Sequence, residues 1–141
     1  MSGLFIVFEG GDGSGKSTQV ARLADSLRKR GLTVVTTREP GGTPIAEQIR
    51  HVLLDPDNHE MSDRTEALLF AAGRAEHVRH TIRPALERGE IVVSDRYMDS
   101  SVVYQGLGRG LGAEEVRNLN LWATEGLRPD LTIVLDVHTE L

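Results

Sequence analysis

The chain contains no cysteine, which excludes disulfide stapling and thiolate metal centres. No apolar run approaches the roughly 18 residues of a membrane span. The start, Met1-Ser2-Gly3-Leu4, passes almost at once into a strand-like run and carries no secretory-signal pattern. There is no low-complexity tract, internal repeat or linker. Nor is there an excess of positive charge: the net value of −5 argues against a non-specific nucleic-acid binder. What is present is 141 residues of ordinary globular composition, 39% apolar and 26% charged. That length suffices for one domain with a core, and the cytoplasm is the expected location.

Apolar patterning divides the chain into alternating elements. Leu4 to Glu9 is nearly all apolar and bounded by glycines, as suits a strand buried on both faces. Lys16 to about Arg30 reads as a helix, with Val20, Leu23, Ala24 and Leu27 as its apolar stripe. A strand at Thr33–Thr37 and a helix from about Thr43 to Leu54 follow, separated by Pro40-Gly41-Gly42. Ser62 to Glu87 reads as one long helix, capped by Ser62 and kinked at Pro84. Ile91 to Ser94 is a third strand, ending at Asp95, and a helical stretch runs to about Tyr104. Then come a glycine-rich turn at Gly106, Gly108, Gly110 and Gly112, a helix at Ala113–Thr124, and a strand at Leu131–Leu135. Strands alternating with helices predict an α/β fold with a parallel sheet covered by helices on both faces.

Gly10-Gly11-Asp12-Gly13-Ser14-Gly15-Lys16-Ser17 fits G-x-x-x-x-G-K-[ST], between a buried strand and a helix as that motif requires. Glycines let successive backbone N–H groups turn inward around phosphate oxygens, and the following helix aims its positive end at the same anion. Lys16 then reaches the β- and γ-phosphates of a nucleotide, and the Ser17 hydroxyl ligates Mg²⁺. The chain has no Asn-Lys-x-Asp guanine signature, and its third strand ends in Asp-Arg rather than the Asp-x-x-Gly of a switch GTPase. A kinase for a small acceptor fits better.

In an open parallel sheet, ligands bind at the carboxyl ends of the strands. Three such ends bring Lys16, Arg38 and Arg96 toward one crevice, with Glu39 nearby, an arrangement that suits two phosphates held nose to tail. An Arg38–Glu39 surface pair is the plainer alternative. Asp95 follows an apolar strand as a Walker-B acid does, and serves equally as a helix N-cap. Phe70 and Arg74 are i and i+4 on the long helix, so either they face a flat base with a carbonyl edge or Phe70 belongs to the core. Ser101 and Gln105, with Tyr104 beside them, are donors for a base edge or simply a solvated face.

The string Thr37-Arg38-Glu39-Pro40-Gly41-Gly42-Thr43 is far more specific. With it stand the loop GGDGSGKST, Asp95-Arg96-Tyr97, Tyr104-Gln105-Gly106, Gly108-Arg109-Gly110, and Arg128-Pro129-Asp130-Leu131-Thr132 leading to Leu135-Asp136-Val137. Together they resemble bacterial thymidylate kinases, collinearly from Phe5 to Val137. The resemblance implies a P-loop NTPase-type fold that transfers the γ-phosphoryl of ATP to dTMP, with Mg²⁺ as cofactor, in a cytoplasmic homodimer without nucleic-acid or membrane partners. It implies that Gly10, Gly11, Asp12, Gly13, Ser14, Gly15, Lys16, Ser17 and Thr18 bind ATP, and that Ser17 and Asp95 hold the metal. Phe70 stacks on thymine, Arg74 and Gln105 hydrogen-bond its edge, and Ser101 helps. Arg38, Arg50 and Arg96 surround the dTMP phosphate. Asp12 and Glu39 lie near the sugar and the transferring phosphoryl, and Tyr104 crowds the sugar 2′ carbon. Lys16, Arg96, Asp12 and Glu39 are the implied catalytic set.

Some family members carry an arginine in the loop where this chain has Gly13, while others place catalytic arginines in a lid after the fourth strand. The chain resembles the second type but ends before a lid, an adenine-binding segment and a final strand and helix. It is therefore expected to be one incomplete kinase domain, residues 1–141, binding dTMP weakly and turning over poorly. The rival readings are a kinase for another monophosphate or small alcohol, an ATP-binding switch, and a metal hydrolase built on His77 and His80. The last is disfavoured because Glu76-His77-Val78-Arg79-His80 lacks the His-Glu-x-x-His order and has arginines nearby. His51, His59 and His138 form no constellation.

Overall fold

A strand buried on both sides belongs at the centre of a sheet, and β1 (Leu4–Glu9) lies there. Four parallel strands run in the order β2-β3-β1-β4, where β2 is Val34–Arg38, β3 is Ile91–Asp95 and β4 is Leu131–Val134. The structure, a computed structural model, describes residues 3–11 and 13–135. Phe5 pairs with Val92 and Val7 with Ser94, while Phe8 pairs with Ile133 on the other side. Alternation along β1 supplies two cores. Phe5 and Val7 face one side with Val92, and Ile6 and Phe8 face the other with Val93. Burying each of these side chains contributes about 1.5–3 kcal/mol.

Helix α1 (Lys16–Lys29) covers the Ile6/Phe8 face through Val20 and Ala24, with Leu23 and Leu27 partly buried beside them, so the predicted stripe is the packed one. The opposite face is covered by the segment Val78–Ile82 that follows α3 (Asp63–His77), and by α4 (Arg83–Glu87), α5 (Met98–Ser101) and α6 (Ala113–Ala123). Between β2 and α3 lies α2 (Pro44–Leu54), whose N-cap Thr43 accepts from the Ala46 N–H at 3.0 Å. Ser62 caps α3 in the same way, accepting from Thr65 at 3.2 Å, as its sequence position predicted.

Two segments differ from expectation. The long helix runs on from Asp63 to Glu87 but widens, one turn before Pro84, into a π-type turn over Val78–Ile82 between α3 and α4. Proline has no N–H to donate, and its ring crowds the carbonyl four residues back, that of His80, so the backbone widens upstream of the ring. The second difference concerns Gly106 and Gly108, which are not turn residues. They lie in a wide helical segment, Val102–Gly108, that continues α5. A Cβ on Gly106 would stand 2.8 Å from the Ala113 Cα, so close approach to α6 explains this glycine. The chain reverses afterwards, through Gly110 and Gly112 at φ +72° and +96°. Among the described residues no helix is long and apolar enough to cross a membrane.

Candidate active site

The strand order creates a crevice before any side chain is considered. From β1 the chain crosses to β2 on one flank, and from β3 it crosses to β4 on the other. The connections diverge at the carboxyl ends of β1 and β3, which is where open α/β sheets bind ligands.

The glycine-rich loop enters this crevice from β1. Gly13 and Gly15 take φ of +79° and +86°, values open to glycine without strain, and nothing lies within 4 Å of where their Cβ atoms would be. Gly10, at the foot of the loop, is tied to β4: a Cβ there would meet the Leu135 carbonyl oxygen at 2.7 Å. Gly11 lies exposed in the loop, and its carbonyl accepts from Ser14 N–H at 3.2 Å. No side chain among the described residues caps α1, so its first N–H groups point into the crevice. Lys16, only 7% exposed, donates from Nζ to the Gly11 carbonyl at 3.2 Å and stands 3.8 Å from Asp95 Oδ1. The buried Ser14 hydroxyl has no hydrogen-bond partner among the described residues. An open arc of backbone, a lysine and a free hydroxyl are a donor set that fits a polyphosphate.

A cleft of about 620 Å³ runs forward from this loop. Gly13 to Thr18 form one wall, Arg38, Glu39 and Arg50 the opposite wall, and Asp95, Arg96 and Phe70 complete it. A second cleft, about 450 Å³, shares Phe70 and Arg96 with the first and adds Tyr104 and Gln105. The half-buried Phe70 ring therefore lies on the boundary between two spaces. Asp12 lies outside the described residues.

Each cation of the cleft is held in its own way. Arg38 meets Glu47 at 3.4 Å rather than Glu39, and Glu47 also accepts from the Gly42 N–H at 3.1 Å. Arg50 donates to the Pro40 carbonyl at 2.8 Å, which ties α2 to the turn after β2. Arg96 adopts φ +71°, a strained conformation for a residue with a Cβ. Its N–H donates to Phe8 at 2.8 Å, its carbonyl accepts from Ser94 at 2.8 Å, and its guanidinium sits 6.0 Å from the Tyr104 ring centre. The corner after β3 is thus clamped to β1 with its arginine turned over the site.

Arg74 and Ser101 line neither cleft. The buried Arg74 donates from Nε to Glu39 Oε1 at 2.5 Å and from Nη1 to Ser101 Oγ at 2.8 Å and Asn120 Oδ1. Glu39 Oε2 pairs with His77 Nδ1 at 2.7 Å. Burial alone would raise the Glu39 pKa, but the Arg74 charge and hydrogen bonds from His77 and Arg74 prevail and lower it. His77 is buried in this network while His80 is exposed beside Glu76, and no cluster of metal-binding side chains occurs among the described residues. The network's further members, His77 and Asn120, were not assigned from sequence. Their signal was positional: Asn120 follows Val116 by one turn on the buried face of α6, where a polar residue needs a partner.

Glu9 is a second functional candidate missed in the sequence. It ends β1 and is 6% exposed, accepting from the Ser100 hydroxyl at 2.6 Å and the Ser100 N–H at 3.1 Å. It shares a cavity of about 240 Å³ with Asp99, Arg117 and Arg128. Burial pushes its carboxyl up to about 7; the Ser100 hydroxyl pulls it down and the Asp99 charge pushes it up. A carboxyl whose folded pKa exceeds the usual 4.5 binds its proton more tightly in the folded state, so stability falls as pH rises from 4.5 through about 7. Glu9→Gln should abolish that slope. In denaturant titrations at pH 5 and pH 8, wild type should lose about 1–3 kcal/mol relative to the variant. Parallel curves for the two proteins would contradict this account.

A parallel sheet with a glycine-rich phosphate loop at its divergence point defines the class: a P-loop nucleotide-binding protein of the kinase type. The comparisons narrow it. The thymidylate kinase family model matches residues 8–141, and the chain belongs to that family. It is 55% identical over 140 residues to a thymidylate kinase of Exiguobacterium sp., covering 99% of this chain and 66% of that protein. It is 61% identical over 138 residues to that of Symbiobacterium thermophilum, covering 98% and 64%. The crystal structure of thymidylate kinase from Ehrlichia chaffeensis superposes with a TM-score of 0.90 at 39% identity, over 98% of this chain and 78% of that one. The chain spans about two thirds of the length of the curated relatives it matches.

Proposed function

We propose that the intact protein transfers the γ-phosphoryl group of ATP to dTMP, giving dTDP, a step in dTTP synthesis. One observation carries this reading. A phosphate loop and three arginines on separate elements, Arg38, Arg50 and Arg96, border the same cleft, with an aromatic ring at its far end. A nucleotide monophosphate matches that layout: phosphate among the arginines, base at Phe70, and the transferred group between the arginines and Lys16.

The bond between the γ-phosphorus and its bridging oxygen breaks as a dTMP 5′-phosphate oxygen forms the new one. That oxygen is already anionic, so no general base is required. Lys16 neutralises charge on the leaving side, and Arg96 on the accepting side. Ser17 and Asp95, both bordering the cleft, are the residues that would hold Mg²⁺ together with phosphate oxygens. When bound, the ion supplies charge neutralisation between the phosphates. Gln105 offers amide groups to a base edge, and its buried Oε1 lacks a partner among the described residues. Tyr104, which lines the second cleft beside Arg96, is assigned by family likeness to crowd the sugar 2′ carbon and so to favour deoxyribose. Glu39 and Arg74 act from beneath, with Ser101. Asp12 is assigned to the sugar side by family likeness alone. A homodimer in the cytoplasm is part of the same proposal; the half-exposed Leu68 on α3 supports a partner there.

The test compares dTMP, dUMP, dCMP and UMP as acceptors with ATP. Expected is a kcat/KM for dTMP about tenfold or more above dUMP, the value of one methyl group in an apolar pocket, and a larger margin over dCMP and UMP. ATP turnover indifferent to every monophosphate would instead mark a nucleotide-binding switch.

A further inference from the structure

His77 contacts neither cleft, yet it is fully buried at 0% exposure. It shares one face of α3 with Arg74 and Phe70, three and seven residues earlier. Both ring nitrogens are engaged: Nδ1 lies 2.7 Å from Glu39 Oε2, and Nε2 lies 2.6 Å from Thr37 Oγ1. An ionised Glu39 only accepts, so Nδ1 carries the proton, while Nε2 pairs with the Thr37 hydroxyl, a group able to donate or accept. This fixes the ring plane and, through it, the Glu39 carboxylate.

Two consequences reach the acceptor side. Glu39 Oε1 receives Arg74 Nε at 2.5 Å, so the carboxylate sets where the guanidinium lies relative to Phe70. Arg74 Nη2 is then the guanidinium nitrogen without a hydrogen bond among the described residues. The imidazole also supports the turn after β2. A Cβ on Gly42 would fall 2.3 Å from His77 Cδ2, and the Gly42 carbonyl accepts from Thr81 at 2.7 Å. That turn joins Arg38 to α2 and supplies the Pro40 carbonyl that holds Arg50.

We infer that His77 is a positioning residue for the acceptor nucleotide: by fixing Glu39 it orients Arg74 beside Phe70 and seats the turn that holds the phosphate-binding arginines. The inference rests on the dTMP kinase reading above.

The test uses two variants of the intact protein. In His77→Asn the side-chain amide takes the place of Nδ1 and keeps the Glu39 contact. In His77→Gln it reaches the place of Nε2, keeping Thr37 and losing Glu39. Both lose the ring and each keeps one contact, so their difference weighs the Glu39 contact against that to Thr37. His77→Gln should raise KM for dTMP about tenfold and narrow the preference for dTMP over dCMP by a similar factor, with KM for ATP within about twofold. His77→Asn should stay within about threefold of wild type in both measures. Equal effects of the two variants on KM, or equal losses of thermal stability with KM and preference unchanged, would overturn the inference. Wild-type protein that fails to phosphorylate dTMP would sink the kinase reading instead. If His77→Gln does not fold, His77→Leu carries the same test: it lacks both contacts while His77→Asn lacks only that to Thr37, so KM for dTMP should rise about tenfold in Leu and stay near wild type in Asn; an unchanged KM in Leu counts against the inference.

Discussion

A Lys16→Ala replacement in the intact protein is expected to slow dTDP formation by about 10³-fold or more, while the fold and dTMP binding survive. The Lys16 ammonium lies over the loop, 3.2 Å from the Gly11 carbonyl, and faces Asp95 at 3.8 Å. Among the residues bordering the first cleft it is the lysine, and its burial removes the water that would otherwise screen its charge. Alanine deletes that charge and leaves the Asp95 carboxylate facing the phosphates alone, so the penalty exceeds the loss of one hydrogen bond. Single-turnover measurement of dTDP isolates this step, with circular dichroism and dTMP binding as controls. A rate within tenfold of wild type would remove the loop from the chemistry.

Replacing Glu39 by alanine is expected to produce the largest loss of stability, about 3–5 kcal/mol. The carboxylate is buried and binds Arg74 on one oxygen and His77 on the other. Alanine strands the Arg74 guanidinium, which is 3% exposed, beneath the Tyr97 ring 5.7 Å away. Breaking one side of a buried pair costs more than the pair contributes, because the remaining charge, held only by neutral Ser101 and Asn120, lacks both water and an opposite charge. The melting temperature should drop by roughly 10 °C or more. A pH dependence accompanies it. The Glu39 pKa is lowered from 4.5, so the contribution is present above that value and is lost as pH falls below it through the folded pKa. Wild type should therefore destabilise in acid by a component that Glu39→Ala lacks. A variant melting within two or three degrees of wild type would contradict the buried-pair account, since an exposed pair shifts melting by only about that much.

The elements were legible because their signals are local. Leu4–Glu9 was predicted and observed over the same residues, since a wholly apolar run between glycines has one natural place in a parallel sheet. The cap at Ser62, the helix expected from about Thr43 and the helix starting at Lys16 follow from side-chain chemistry within a few residues. The loop, Arg38, Asp95 and Arg96 border one cleft at the strand ends where motif and spacing pointed; Arg50, which also borders it, came from the family resemblance alone, and spacing left Phe70 open between base and core. The backbone response to Pro84 was less visible. A proline states that a helix must yield, but the packing of Val78 and Ile82 on the sheet decides which turn widens. Gly106 was misread for a related reason: a glycine opposite another helix has the same letter as a glycine in a turn, and only the lack of room for a Cβ, which would meet the Ala113 Cα at 2.8 Å, tells them apart.

By itself the sequence determined the alternation of elements, the phosphate loop, the strand-end cations and the family to which they belong. The tertiary structure decided which partners the buried polar groups would take. Glu39 meets Arg74 35 residues away and His77 38 residues away, and Arg74 meets Asn120 across 46. Periodicity reports which face of an element is buried, because burial repeats with the geometry of that element alone. It carries no record of what lies opposite, and a desolvated carboxylate is governed by the few donors that folding brings within about 3 Å.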